Sequence, residues 1–204
     1  RAGRALAELV ALKKELRWAD FSMATERLDS VERTIKEMIA DLSDMQHACE
    51  PSAYYTQVRP WLMPLCDVIL EGVARYGGRP QTFPGASGAQ SSVLPALDAA
   101  LGITHKSDFS LKMRDHMPPA DREFVERMQK GLSVREIIAY RRGDQLLVNA
   151  FNRCVMAVKC FRKAHAGFAM RYVSEQGKNT HGTGGTAYKD FFDEYIRETE
   201  TAQL

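Results

Sequence analysis

Several scarcities narrow what this chain can be. Only four of its 204 residues are cysteines. Cys49, Cys66, Cys154 and Cys160 form no CxxC pair and show no Cys/His spacing suited to zinc. A chain of this length does not need disulfide staples, so the four read as reduced thiols of a cytoplasmic protein. Neither sign of charge dominates: 28 Lys+Arg stand against 26 Asp+Glu, a formal net charge of +2, and nothing marks a nucleic-acid-binding face. No apolar run approaches the roughly 20 residues that a membrane-spanning helix needs. The hydrolase signatures GxSxG and HExxH are missing, as is a pair of carboxylates on one helical face. Gly182-Thr-Gly-Gly-Thr186 lacks the spacing and the lysine of a phosphate loop. The opening Arg1-Ala2-Gly3 has neither an initiating Met nor a signal-peptide core, as in a fragment or a processed chain.

What remains is 45% hydrophobic and patterned for helices. Residues 2–17 predict one helix, with Leu6, Leu9, Val10, Leu12 and Leu16 on its apolar side. After a break at Asp20–Ser22, Leu28, Val31, Ile35, Met38, Leu42 and Met45 draw a stripe at alternating spacings of 3 and 4. Pro51 suits the first turn of a third helix over 51–74, kinked or broken by Pro60 and Pro64. The Gly- and Pro-rich segment 76–92 is a loop that leads into an apolar helix at 93–101, with Ser91 or Ser92 as its N-cap. Helices follow at 120–130 and at 133–141, the second opened by the capping box Ser133/Glu136. The longest helix is expected over 144–173, then a polar loop at 177–186 and a short amphipathic helix at 187–199. Nothing reads as a strand, so the fold class is all-α.

In the 144–173 helix, Leu147, Phe151, Cys154, Val158, Phe161, His165, Phe168 and Tyr172 form one unbroken stripe. An imidazole there needs a partner, because an unpaired buried polar group costs about 1–3 kcal/mol. Two readings are open: a core histidine bonded to a backbone carbonyl, or an axial haem ligand walled by aromatic rings. Arg162, on an adjacent face, is either a surface cation or within reach of a haem propionate. Arg59 follows Tyr54 and Tyr55 at helical offsets. It either snorkels outward from a half-buried turn or binds a carboxylate beside two rings that hold an aromatic body. The glycines of 182–186 suit a lid over a ligand or a plain connector. His47, His105, His116 and His181 lie at a helix end or in polar turns and loops, none with a partner at metal spacing.

Taken in order, Pro51-Ser-Ala-Tyr-Tyr-Thr-Gln-Val-Arg59, Pro84-Gly-Ala-Ser-Gly-Ala-Gln-Ser-Ser-Val93 with Asp98 and Leu101-Gly-Ile103, Met113-Arg-Asp-His-Met-Pro-Pro119, Ser133-Val-Arg-Glu136, Arg162-Lys-Ala-His165 and Gly182-Thr-Gly-Gly-Thr186 resemble the C-terminal, haem-binding domain of the indoleamine 2,3-dioxygenase family. The resemblance implies a multi-helical haem domain over 1–204: N-terminal helices at 1–50, the haem and substrate site at 51–186 and a C-terminal helix at 187–204. The family's smaller N-terminal domain would be a missing or separate segment. It further implies haem b with His165 as proximal iron ligand, Arg162 paired with Asp98 beside a propionate, and Ser87, Gly88 and Ala89 on the distal face. Arg59 would hold the substrate carboxylate and Tyr54 and Tyr55 the indole, while Thr183 and Gly184 would close over the amino-acid end. The implied reaction inserts both atoms of O2 across the indole C2–C3 bond of L-tryptophan, giving N-formylkynurenine. The alternatives are a related haem enzyme acting on a substituted indole and a non-catalytic haem-binding module. Well-known members carry phenylalanines at the positions of Tyr54 and Tyr55, so this chain brings two extra hydroxyls to the site.

Overall fold

Apolar stripes on three helices close on one another to form the core. The computed structural model describes residues 1–18, 21–140, 143–177 and 181–204. Helix α1 (Ala2–Trp18) buries Leu6, Leu9, Leu12 and Leu16, while Val10 lies on its exposed side, 46% accessible. Helix α2 (Phe21–Ala48), 28 residues long, is the longest of the described helices and buries Leu28, Val31 and Ile35. Phe21 and Ser22, expected in the break between these helices, are helical; Asp20 lies outside the described residues. Helix α8 (Gln145–Ala169), capped by Asp144 Oδ1 accepting from the Leu147 N–H at 3.1 Å, buries Leu147, Phe151, Cys154 and Val158. It packs along α2 and against α10 (Tyr188–Glu200), and α1 packs on α2. Burial of these side chains stabilises the bundle at about 25 cal/mol per Å² of apolar surface removed from water.

The third expected helix is where the chain departs from the reading. Only α3 (Pro51–Ala53) is α-helical, capped by Glu50 Oε2 accepting from the Ala53 N–H at 3.0 Å. The helix loosens to a π-turn over 54–58 and tightens to a 3-10 turn over 59–62. Pro60 and Pro64 each remove a helical N–H donor, and Met63 is extended. The chain then forms a hairpin of β1 (Leu65–Val68) and β2 (Gln81–Phe83), pairing Leu65 with Phe83 and Val68 with Gln81 across a register shift. Asp67, at φ 56°, is the non-glycine residue that turns left-handed there. Among the described residues the fold is therefore multi-helical with one small two-stranded sheet.

The remaining elements frame the site. Ser87 caps a 3-10 turn over 88–90 through a capping box with Gln90. Helix α4 (Val93–Leu101) follows; Ser92 does not cap it but donates to Asp121 Oδ1 at 2.7 Å. Gly102 ends α4 at φ 78°, and a Cβ there would lie 2.6 Å from Ser133 Oγ. Helices α5 (Phe109–Met113), α6 (Pro119–Gln129) and α7 (Val134–Tyr140) complete this layer. Helix α8 passes into a π-turn over 170–174 and then α9 (Glu175–Gly177). Of the expected loop 177–186, residues 178–180 lie outside the described residues; His181 pairs with Ala187 in an isolated antiparallel bridge.

Candidate functional site

Beyond the core, the stripes of α2 and α8 run on into the wall of a cavity of about 320 Å³ that opens to solvent. Leu42 and Met45 continue the α2 stripe; His165 and Phe168 continue that of α8, followed by Tyr172. Tyr54, residues 86–89, α4 with Asp98, α5, residues 182–186 and the aromatic face of α10 complete the lining. The size is at the low end for ligand pockets, and the lining is the usual mixture of apolar walls and a few polar groups.

His165 meets rings rather than carbonyls. Phe192 lies edge-on with centroids 4.9 Å apart and Phe161 is tilted at 6.3 Å. Burial alone depresses its basicity, so the ring is neutral at neutral pH and has a lone pair to offer. No hydrogen-bond partner holds either ring nitrogen among the described residues. This removes the carbonyl-bonded core reading.

One turn earlier, Arg162 is buried rather than a surface cation. Its Nη2 donates to both oxygens of Asp98, at 2.7 and 2.6 Å, and Nη1 donates to Thr199 Oγ1. Its guanidinium also lies over the Tyr195 ring, 5.5 Å from the centroid. Asp98 and Arg162 both reach the cavity wall. His105, expected in a polar turn, belongs to the same buried cluster, between Asp98 and Glu198 and stacked on Tyr195 with centroids 3.8 Å apart. Tyr195 in turn shares a 2.7 Å hydrogen bond with Ser110. The missed partners had one signal in the sequence: Glu198 continues the α10 stripe of Tyr188, Phe191 and Tyr195, where a carboxylate interrupts an apolar face.

Ser87, Gly88 and Ala89 line the same cavity as His165. Their loop is held from within. Ser87 Oγ accepts from the Ala89 N–H at 3.2 Å, while Gln90 Oε1 accepts from the Ser87 N–H and Gln90 Nε2 donates to the Gly85 carbonyl. The Thr183 hydroxyl donates to the Ala86 carbonyl, which fastens residues 182–186 onto this loop. Gly85 is required by that contact: a Cβ would stand 2.0 Å from the Thr183 carbonyl oxygen and 2.6 Å from that of Leu62. Gly184 is less tightly placed: a Cβ there would lie 3.1 Å from Ser87 Cβ and 3.2 Å from Phe109 Cζ.

The structure brings His165, Arg162, Asp98, Ser87, Gly88, Ala89, Tyr54, Thr183 and Gly184 to one cavity. It leaves Tyr55 and Arg59 outside the lining. The Tyr55 ring turns toward Gly177, where a Cβ would fall 1.9 Å from its hydroxyl. Arg59 does not snorkel outward; it is 6% exposed, lies 5.4 Å from the Tyr55 ring centroid and donates from Nη2 to the His181 carbonyl at 3.0 Å. Its Nε is buried without a partner, and no carboxylate balances its charge among the described residues. Tyr54 keeps its place on the wall, edge-on to Tyr172 with centroids 5.7 Å apart, and burial raises its phenol so that it stays neutral.

Comparison with known proteins agrees in one direction. The family profile described as indoleamine 2,3-dioxygenase matches residues 1–181. The chain is 32% identical over 206 residues to indoleamine 2,3-dioxygenase 2 of Mus musculus, covering 88% of this chain and 49% of that protein. It is 31% identical over 193 residues to indoleamine 2,3-dioxygenase 2 of Homo sapiens, covering 81% and 46%. To 6-hydroxytryptophan 2,3-dioxygenase fscD of Fusarium equiseti it is 34% identical over 148 residues, covering 69% and 37%. The chain thus spans about half the length, or less, of these curated relatives. Among the described residues, no helix is long and apolar enough to cross a membrane.

Proposed function

The chain belongs to the indoleamine 2,3-dioxygenase family, and we propose that it forms the large, haem-binding helical domain of an enzyme that inserts O2 across the indole C2–C3 bond of L-tryptophan, giving N-formylkynurenine. The observation that carries this reading is the His165 ring: neutral, without a hydrogen-bond partner among the described residues, and presented to an apolar cavity one turn from a buried Arg–Asp pair. Those residues fit haem b. His165 would hold its iron, and Arg162, anchored by Asp98, would receive a propionate. When bound, haem supplies iron that activates dioxygen.

The protein's own part is to bind, orient and exclude water. Phe161, Phe168 and Phe192 keep His165 in an apolar sleeve. Ser87, Gly88 and Ala89 present a low, small-residue surface on the distal side, where an indole and O2 need room. Arg59 stands behind the lining, a buried guanidinium with no acid partner among the described residues, and we assign it as the counter-charge that a substrate carboxylate would meet next to the 181–186 segment. Thr183 and Gly184 close that segment over the amino-acid end. The four free cysteines suit a reducing, cytoplasmic setting.

A second reading keeps the haem and changes the substrate to a ring-substituted indole. Tyr54 favours it: of the cavity's four tyrosines, Tyr172 donates to the Cys49 carbonyl and Tyr195 pairs with Ser110, whereas the hydroxyls of Tyr54 and Tyr188 have no hydrogen-bond partner among the described residues. A hydroxylated indole would satisfy that of Tyr54, and Tyr54→Phe would then lose that discrimination. The test is spectroscopic. Purified protein loaded with haem should show a Soret band that moves on reduction and again with carbon monoxide, and His165→Ala should abolish haem retention. An unchanged spectrum in that variant rules out the ligand assignment. Product absorbance from L-tryptophan beside its hydroxylated analogues separates the two substrates.

A further inference from the structure

Arg162 and Asp98 are not alone on the polar side of the cavity wall. Ser110 of α5 and Tyr195 of α10 also line it, and their hydroxyl oxygens lie 2.7 Å apart. A serine and a tyrosine hydroxyl each carry one hydrogen and accept through the oxygen. The bond between them uses one of these hydrogens and leaves the other, whichever residue is the donor. Neither hydroxyl has another hydrogen-bond partner among the described residues. The phenol also keeps its proton: burial pushes it above its ordinary value of 10, and this outweighs the lowering by the Ser110 bond.

The pair is held in place by rings. Tyr195 stacks on His105 with centroids 3.8 Å apart and meets Phe191 at 4.2 Å, and the Arg162 guanidinium carbon lies 5.5 Å from its centroid. Ser110 follows Phe109, which packs edge-on to Phe191 at 5.3 Å. The bonds of Arg162 to Asp98 and Thr199 leave from Nη1 and Nη2, so its Nε–H stands outside them. The wall thus offers a fixed, neutral O–H donor beside a guanidinium. An anionic oxygen acceptor suits both, because hydrogen bonds to an ionised acceptor are about twice as strong as neutral ones.

We propose that Arg162 and the Ser110–Tyr195 hydroxyl pair form one seat for a carboxylate of the ligand in the cavity. This rests on the haem reading, in which that carboxylate is a propionate met by Arg162; the hydroxyl pair is a second point of contact, carried by α5 and α10 rather than α8. When Tyr195 donates to Ser110, the serine hydrogen is the one left for the ligand, and in the reverse sense it is the phenol hydrogen. Loss of one hydroxyl therefore still leaves a donor, and loss of both leaves none.

That redundancy gives the test its signature. Haem affinity is read by Soret titration at pH 7 for wild type, Ser110→Ala, Tyr195→Phe and the double variant, with circular dichroism as the check on folding. Each protein is titrated with protohaem and with its dimethyl ester, whose propionates carry no charge. Either single variant should bind protohaem within about threefold of wild type, and the double variant at least about tenfold more weakly. The double variant should lose less than about threefold for the ester. A bond that merely ties α5 to α10 is already broken by either single substitution, so a double variant no weaker than the single ones overturns the proposal. Equal losses for haem and ester overturn it as well. Wild type that binds haem while the double variant matches it removes the seat and leaves the haem reading standing. Wild type that takes up no haem removes that reading, and the seat falls with it.

Discussion

His165 lies where the α8 stripe passes from core to cavity, and burial holds its basicity below the ordinary value of 6.5. The sign of the consequence follows from linkage. As pH falls through that ordinary value the unfolded chain takes up a proton that the folded chain does not, so stability is lost on acidification until the lowered folded value is passed. Haem-free protein should therefore melt at progressively lower temperature in that window, and His165→Phe should flatten the dependence; equal slopes would remove burial as the cause. Arg59 gives a second prediction at this scale. Arg59→Ala should weaken binding of L-tryptophan far more than that of indole lacking the carboxylate, measured by calorimetry on haem-loaded protein; equal losses would exclude the clamp. Residues such as His165 and Arg162 were legible because the polar group stands in, or one turn from, an apolar stripe. His105 was not, since its partners Asp98 and Glu198 are 7 and 93 residues away in sequence and loop spacing carries no information about either.

Among the elements, helices with a strong 3–4 stripe were read nearly to their ends. The capping box of α7 was also legible, because its two residues are three apart: Ser133 donates through both N–H and Oγ to Glu136 Oε2 at 2.7 Å, which holds the Glu136 carboxyl below its usual range. Ser133→Ala should lower stability by about 1 kcal/mol in chemical denaturation. The segment 51–74 misled because Pro51, Tyr54, Tyr55 and Val58 do start a helix. What ends it is the pair Pro60 and Pro64, and the hairpin that follows is too short and too exposed to show period-2 alternation. The segment 76–92 was legible only as a loop, because nothing in its composition shows that Gln90 and Ser87 lock its last part and that Gly85 admits the Thr183 carbonyl. Gly85→Ala should push residues 182–186 away from the distal loop. The expected outcome is faster amide exchange at 182–186 and weaker tryptophan binding, with a melting temperature close to wild type; unchanged exchange would show that the contact is dispensable.

For the molecule as a whole, the same periodicity builds two different things. The stripe of α2 is core from Leu28 to Ile35 and cavity wall at Leu42 and Met45; that of α8 is core from Leu147 to Val158 and wall from His165 onward. A helical stripe records only that a face avoids water, not whether protein or a ligand covers it, so the fold class was legible while the boundary between core and pocket was not. Truncating on the core side should act on stability alone. Phe151→Ala is expected to lower unfolding free energy by roughly 3–5 kcal/mol, a large share of the 5–15 kcal/mol typical of a domain. Restored haem affinity once the variant is folded at low temperature would confirm that the two ends of α8 are separable.

The fastening of Thr183 onto Ala86 works as a latch on the strip from His181 to Ala187. That strip runs directly into α10, whose Phe191 and Phe192 form part of the chamber. On the reading in which haem fills the chamber, Thr183→Val should loosen the strip and change the rate of haem loading, followed by stopped-flow absorbance; an unchanged rate would show that the guest enters through the open side with the strip in place.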